Sequence, residues 1–273
     1  MEKLRKHYDD RMLIDFILAA KKAPSTEIHA IGLWEELPKY WQMHGKSADQ
    51  VFKLLNLKNV DEDKLFKSPM WRTWVAFLEK KNGRNSDEMM FLVLMKYYSK
   101  EGVKRMIDNA KKSTSTKTIA TKLQHELWHN EKKTADDVFK FLKLSYDGGD
   151  FLRSPALSTW FSYATYLQVI EGTAIRNAGT YNYGAIAELE KKVGYIELAK
   201  MISAEMSRDS NTALKKTVGL LQEQQFKLWM SKGWSPDKFA GKLIPPYDGR
   251  DNQLILDYYD FVAKVLKDSR VLP

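Results

Sequence analysis

No cysteine occurs among the 273 residues of the sequence. That absence excludes disulfide staples, thiolate nucleophiles and cysteine metal sites, and it suits a protein working in a reducing compartment. Long hydrophobic runs are also missing, since none approaches the roughly 20 apolar residues a membrane span needs. The first ten residues, Met1 to Asp10, are charged where a secretion signal would be apolar. Gly148-Gly149 is followed by no lysine, so there is no phosphate-cradling loop, and serine nucleophile signatures are absent. These gaps predict neither a catalytic residue nor a cofactor.

What is present suits a folded chain: 44% hydrophobic and 12% aromatic residues supply material for substantial cores. The net charge of +9 is uneven, with ten Lys or Arg against four Asp or Glu between Lys96 and Lys133. Such a face fits acidic partners or phosphate backbones, and equally an ordinary solvated helix. A basic helical-repeat protein binding nucleic acid is therefore the rival reading, though no groove-reading or base-stacking motif accompanies the charge.

The strongest signal is an internal repeat. Trp41, Trp128 and Trp229 are each followed six residues on by a similar triplet: Ser47-Ala48-Asp49, Thr134-Ala135-Asp136 and Ser235-Pro236-Asp237. Each triplet opens a helix, with the hydroxyl as N-cap, Ala or Pro in the first turn and Asp at the positive end of the dipole. Ser47 to Gln50 also fits a capping box. Val51 to Leu57 and Val138 to Leu144 continue with one pattern 87 residues apart. The third copy keeps Phe239 and Leu243 but adds Gly241 and Pro245-Pro246, which predicts a shorter helix.

Ser68-Pro69 leads to Trp71, Trp74 and Phe77, and Ser154-Pro155 to Leu157, Trp160 and Tyr163, while Asn252, Ile255, Tyr258 and Phe261 share the spacing. These are stripes of amphipathic helices. Aliphatic stripes precede each tryptophan: Leu13, Phe16, Ile17 and Ala20; Val103, Met106, Ile107 and Ala110; Leu198, Met201 and Ile202. The unit thus reads as four helices: aliphatic, Trp-bearing, capped and aromatic-paired. Polar, Gly-containing junctions fall at Lys81 to Ser86 and Gly172 to Gly184, dividing the chain into repeats 1–84, 85–172 and 173–273.

These landmarks resemble the tandem L-W-Y repeats (WY domains) of RxLR effectors, proteins that oomycete plant pathogens secrete and deliver into host cells. The resemblance covers nearly the whole chain, with the aliphatic stripes as "L", Trp41, Trp128 and Trp229 as "W", and Phe77, Tyr163 and Phe261 as "Y". Glu2-Lys3-Leu4-Arg5 lacks the first Arg of the delivery motif, so the chain is taken as an effector domain. The resemblance implies an all-α, elongated tandem array of three helical bundles. It also implies action in the host cytoplasm or nucleus by binding plant proteins and suppressing immunity, with no membrane partner. One subgroup docks onto the scaffold subunit of host protein phosphatase type two A through a pair of adjacent repeats, which makes that subunit a candidate partner.

His125-Glu126-Leu127-Trp128-His129 is a literal H-E-x-x-H, whose two histidines would share a helix face and could ligate zinc. A third ligand is wanting: no histidine follows His129, and Glu171 is distant. The matching places hold Pro38 and Gln42 in the first copy and Phe226 and Met230 in the third, so the expectation is no metal site. The repeated spacing assigns Trp41, Trp74, Phe77, Trp128, Trp160, Tyr163, Trp229, Tyr258 and Phe261 to the core. Trp34, Trp71 and Trp234 lack an aromatic counterpart in every copy and are candidates for a partner surface.

Overall fold

The computed structural model describes residues 7–82, 85–146, 151–174, 184–208, 212–243, 245 and 247–269. The regular structure there is all-α, with no strand among the described residues. The first copy supplies α1 (Asp10–Ala20), α2 (Glu27–Met43), α3 (Ala48–Leu54) and α4 (Pro69–Asn82). Next comes a helix outside the expected four-element unit, α5 (Ser86–Tyr97). The second copy follows as α6 (Lys100–Lys111), α7 (Thr114–Asn130), α8 (Ala135–Phe141) and α9 (Ala156–Ala174). Another additional helix, α10 (Gly184–Val193), precedes the third copy, α11 (Tyr195–Met206), α12 (Thr212–Ser231), α13 (Pro236–Ala240) and α14 (Gly249–Ser269). Parts of the two expected junctions, 83–84 and 175–183, together with Gly148, Gly149 and Pro246, lie outside the described residues.

The caps behave as their chemistry dictates. Ser47 Oγ accepts from Gln50 N at 3.1 Å while Ser47 N donates to Gln50 Oε1 at 2.8 Å, and Thr134 with Asp137 repeats the reciprocal pair at 3.1 and 2.9 Å. Ser235 Oγ accepts from Lys238 N at 3.2 Å, and α13 stops after five residues at Gly241, against seven in α3 and α8. Two residues before each cap the backbone turns left-handed, at Gly45 (φ 69°), Lys132 (φ 58°) and Gly233 (φ 69°). The turn closes the Trp helix, Lys46 N reaching Trp41 O and Trp234 N reaching Trp229 O, each at 3.0 Å. One backbone design therefore recurs, with lysine tolerated once where glycine is cheaper.

Packing divides the chain into two compact units, Met1–Glu131 and Lys132–Pro273. In the first, α2 lies on α1 and α4, α5 packs on both α4 and α7, and α6 lies along α7. In the second, α9 packs on α8 and α10, and α10 on α11 and α12, while α14 lies on α11, α12 and α13. The division falls inside the second sequence copy, between α7 and α8, so repeats and packed units are out of phase.

Trp41, Trp74, Phe77, Trp160, Tyr163, Trp229 and Tyr258 are fully buried, and Trp128 nearly so. Trp74 sits edge-on to Phe52 at 4.9 Å and Trp160 edge-on to Phe139 at 5.4 Å. Their indole N–H groups donate to equivalent carbonyls, Ala48 O at 2.9 Å and Ala135 O at 2.8 Å. Two expectations need correction. Phe261 is only half-buried, and the buried ring matching Tyr163 is Tyr258: Tyr163 Oη donates to Lys133 O at 2.7 Å and Tyr258 Oη to Trp234 O at 2.6 Å, the carbonyl just before the cap in each case. Phe16, expected in the buried stripe of α1, is 47% exposed and stacks on Tyr8 at 5.8 Å.

Candidate functional site

The first residue cluster shared by all copies surrounds the aspartate that follows each cap by two positions. Tyrosine hydroxyls donate to Asp49, Asp136 and Asp237 from three different places: Tyr97 of α5, Tyr146 after α8 (3.5 Å) and Tyr259 of α14. Lys53 and Lys96 pair with Asp49 at 3.0 and 2.9 Å, and Lys140 and Lys192 with Asp136 at 2.7 and 3.9 Å. Lys96 lies on α5 and Lys192 on α10, so each additional helix is tied to the capped helix of the preceding copy by the same charge pair. Burial pushes the Asp49 carboxyl up, but hydrogen bonds from Tyr97, Lys96 and Lys53 outweigh it and hold the pKa at about 2. A carboxylate held so firmly ionised is a tie between helices and is poorly suited to proton transfer at neutral pH.

The H-E-x-x-H sequence lies near the end of α7 with its two histidines in different surroundings. His125 is buried and His129 exposed. Burial alone depresses the His125 pKa to about 4, which keeps the ring neutral. Glu126, the would-be general base, is buried as well, and among the described residues no three His, Asp or Glu side chains are grouped to hold a metal. The basic stretch is partly neutralised in place. Lys100 pairs with Glu131 at 2.8 Å, Lys111 with Asp108 at 3.1 Å and Lys122 with Asp87 at 3.1 Å.

The three tryptophans expected at a partner surface divide. Trp71 is buried, ringed by Phe66 at 4.8 Å and Trp74 at 5.1 Å, so it belongs to the core of the first unit. Its i, i+3 stripe with Trp74 and Phe77 already marked the buried face, and its counterpart Leu157 is buried too, so the want of an aromatic in every copy was no sign of a surface. Trp34 is half-buried; its Nε1 donates to Thr73 Oγ1 at 2.9 Å and Lys21 Nζ lies 5.4 Å from the ring centre. Trp234 is half-buried between Tyr195 at 5.2 Å and Trp229 at 6.1 Å, with Lys242 Nζ at 4.4 Å from the ring centre.

No family model matches the chain. The RxLR effector protein PSR2 of Phytophthora sojae is 28% identical over 243 residues, covering 87% of this chain and 35% of that protein. The RxLR effector protein PSR2 of Phytophthora infestans is 31% identical over 242 residues, covering 87% of this chain and 30% of that protein. The chain is homologous to RxLR effector proteins of Phytophthora. It spans about a third of the length of these PSR2 relatives. A shorter match joins it to the RxLR effector protein PexRD25 of Phytophthora infestans, 35% identical over 133 residues, 46% of this chain and 43% of that protein. Among solved structures, the crystal structure of PcRxLR12 is 32% identical and covers 97% of this chain and 64% of its own, with a TM-score of 0.42.

The spacing of single helices does not mark several exposed apolar side chains. Ile28 (81% exposed) and Phe141 (70% exposed) are large apolar side chains facing outward. Phe16 is another, and alignment of the aliphatic stripes marks it, because its counterpart Met106 is buried in the second copy.

Proposed function

We propose that this chain is a virulence effector domain that acts in the plant host cell as a protein-binding adaptor and thereby suppresses immunity. Its three L-W-Y repeats span residues 1–84, 85–172 and 173–273, and it needs no catalytic residue or cofactor. The observation that carries this reading is homology to RxLR effector proteins along 87% of the chain. Secretion by the pathogen and arrival in the host cytoplasm or nucleus belong to the same reading. No helix among the described residues is long and apolar enough to cross a membrane. The partner we propose is the scaffold subunit of protein phosphatase type two A, engaged by two adjacent repeats, a choice supported by repeat number and family resemblance. Affinity purification of the tagged chain from plant cells, followed by mass spectrometry, is expected to recover that subunit. Recovery of other host proteins without it would reject the named partner, and recovery of no plant protein above an unrelated helical control would reject the adaptor.

A further inference from the structure

The third copy carries a cleft of about 800 Å³ between the end of α11, α12 and α14. Counting back from the paired tryptophans Trp41 and Trp229 shows what stands at the same place in the first copy. Seven residues back lie Trp34 and Gln222, and ten residues back lie Ile31 and Gly219. In the first copy the Trp34 ring bridges α2 to α4 through its hydrogen bond to Thr73, and Lys21, just past the end of α1, supplies a cation over it. The aliphatic stripes put Met206 where Lys21 stands. The third copy has therefore lost both the indole and the cation. A Cβ at Gly219 would meet Met206 Cε at 3.7 Å, ordinary contact, so α11 and α12 stay close where both line the cleft.

What remains is an apolar floor with an acidic edge. Met206, Phe226, Phe261 and Val265 line the floor, the two phenylalanine rings 5.5 Å apart. Glu223, Asp257, Asp260 and Asp268 stand along the edge against Lys227 and Lys264. Lys227 is already engaged by Glu223 at 2.6 Å, and Gln222 reaches Asp257 at 3.5 Å. The surplus is negative in a chain whose net charge is +9.

We propose that this cleft docks a segment of a partner protein that inserts one aromatic side chain flanked by Lys or Arg. The first copy shows the complementary pair within its own fold: an indole fills the place and a lysine lies over it. An aromatic anchor contributes the largest area per side chain at small entropic cost, while the acidic edge selects against acidic partners. The proposal rests on the reading of the chain as a protein-binding effector, and names the surface and the partner chemistry.

The test uses the full chain and a fluorescein-labelled synthetic peptide bearing one tryptophan between lysines, followed by fluorescence anisotropy. Gln222→Trp places in the cleft the residue the first copy already carries, and is expected to weaken binding at least about tenfold with an unchanged or raised melting temperature. Asp260→Lys, an exposed position, is expected to weaken binding and flatten its salt dependence. Equal binding of a peptide with glutamates for lysines, unchanged binding by Gln222→Trp, or no binding of the basic peptide would each overturn the proposal. Host proteins captured by a chain that ignores the peptide would leave the effector reading standing and remove the cleft. Peptide binding without host capture would do the reverse.

Discussion

At the scale of single residues, the carbonyl before each cap shows how one structural need is met by different atoms. Lys46 O is bonded by Lys81 Nζ, Lys133 O by Tyr163 and Trp234 O by Tyr258. With Phe77 in the tyrosine position, lysine one turn further along supplies the donor; in the third copy, matching by spacing alone put Phe261 where Tyr258 makes the bond. Removing the hydroxyl in Tyr163→Phe is expected to cost about 0.5–1.5 kcal/mol, read from urea denaturation, and an unchanged midpoint would deny the bond its role. His125 offers a pH signature. Its folded pKa of about 4 lies below the ordinary histidine value of 6.5, so between those values the unfolded chain binds the extra proton and stability falls as pH falls. His125→Phe, which introduces the ring found at the matching Phe226, should flatten the stability profile between pH 6.5 and 4. A profile as steep as the original would mean that other groups cause the slope.

At the scale of elements, α5 and α10 were illegible for opposite reasons. The run Met89 to Met95 is apolar almost all round because α5 is covered on two sides, by α4 and α7, so it shows no single stripe. The other helix, α10, follows a Gly-containing stretch that gave no core pattern, yet it carries Glu190, whose side chain is only 7% exposed. That carboxylate accepts from Trp229 Nε1 at 2.7 Å and Gln225 Nε2 at 3.1 Å, and pairs with Lys232 at 3.0 Å, all on or just beyond α12. Hydrogen bonds to a charged group contribute about 1.5–3 kcal/mol each, though not additively. Glu190→Ala should therefore destabilise the second unit by several kcal/mol and expose α10 amides to hydrogen exchange ahead of α14. Uniform exchange across 184–269 would show that the carboxylate does not hold α10 in particular.

At the scale of the molecule, the folding unit is expected to follow packing and not sequence period. Residues 1–131 alone should melt cooperatively by circular dichroism, whereas residues 1–84 should not, because they lose α5 and with it the Tyr97 ring stacked on Phe52 at 5.2 Å. A cooperative melt of 1–84 at the same temperature would return the unit to the repeat. The sequence by itself determined the all-helical class, the caps at Ser47, Thr134 and Ser235, and the buried tryptophans, since capping and apolar periodicity act over a few neighbouring residues. Tertiary structure alone decided that Tyr258 replaces Phe261 and that the third copy holds an open cleft where the first holds Trp34. Each of these depends on which side chains from distant helices arrive at one place, and no local spacing encodes that meeting.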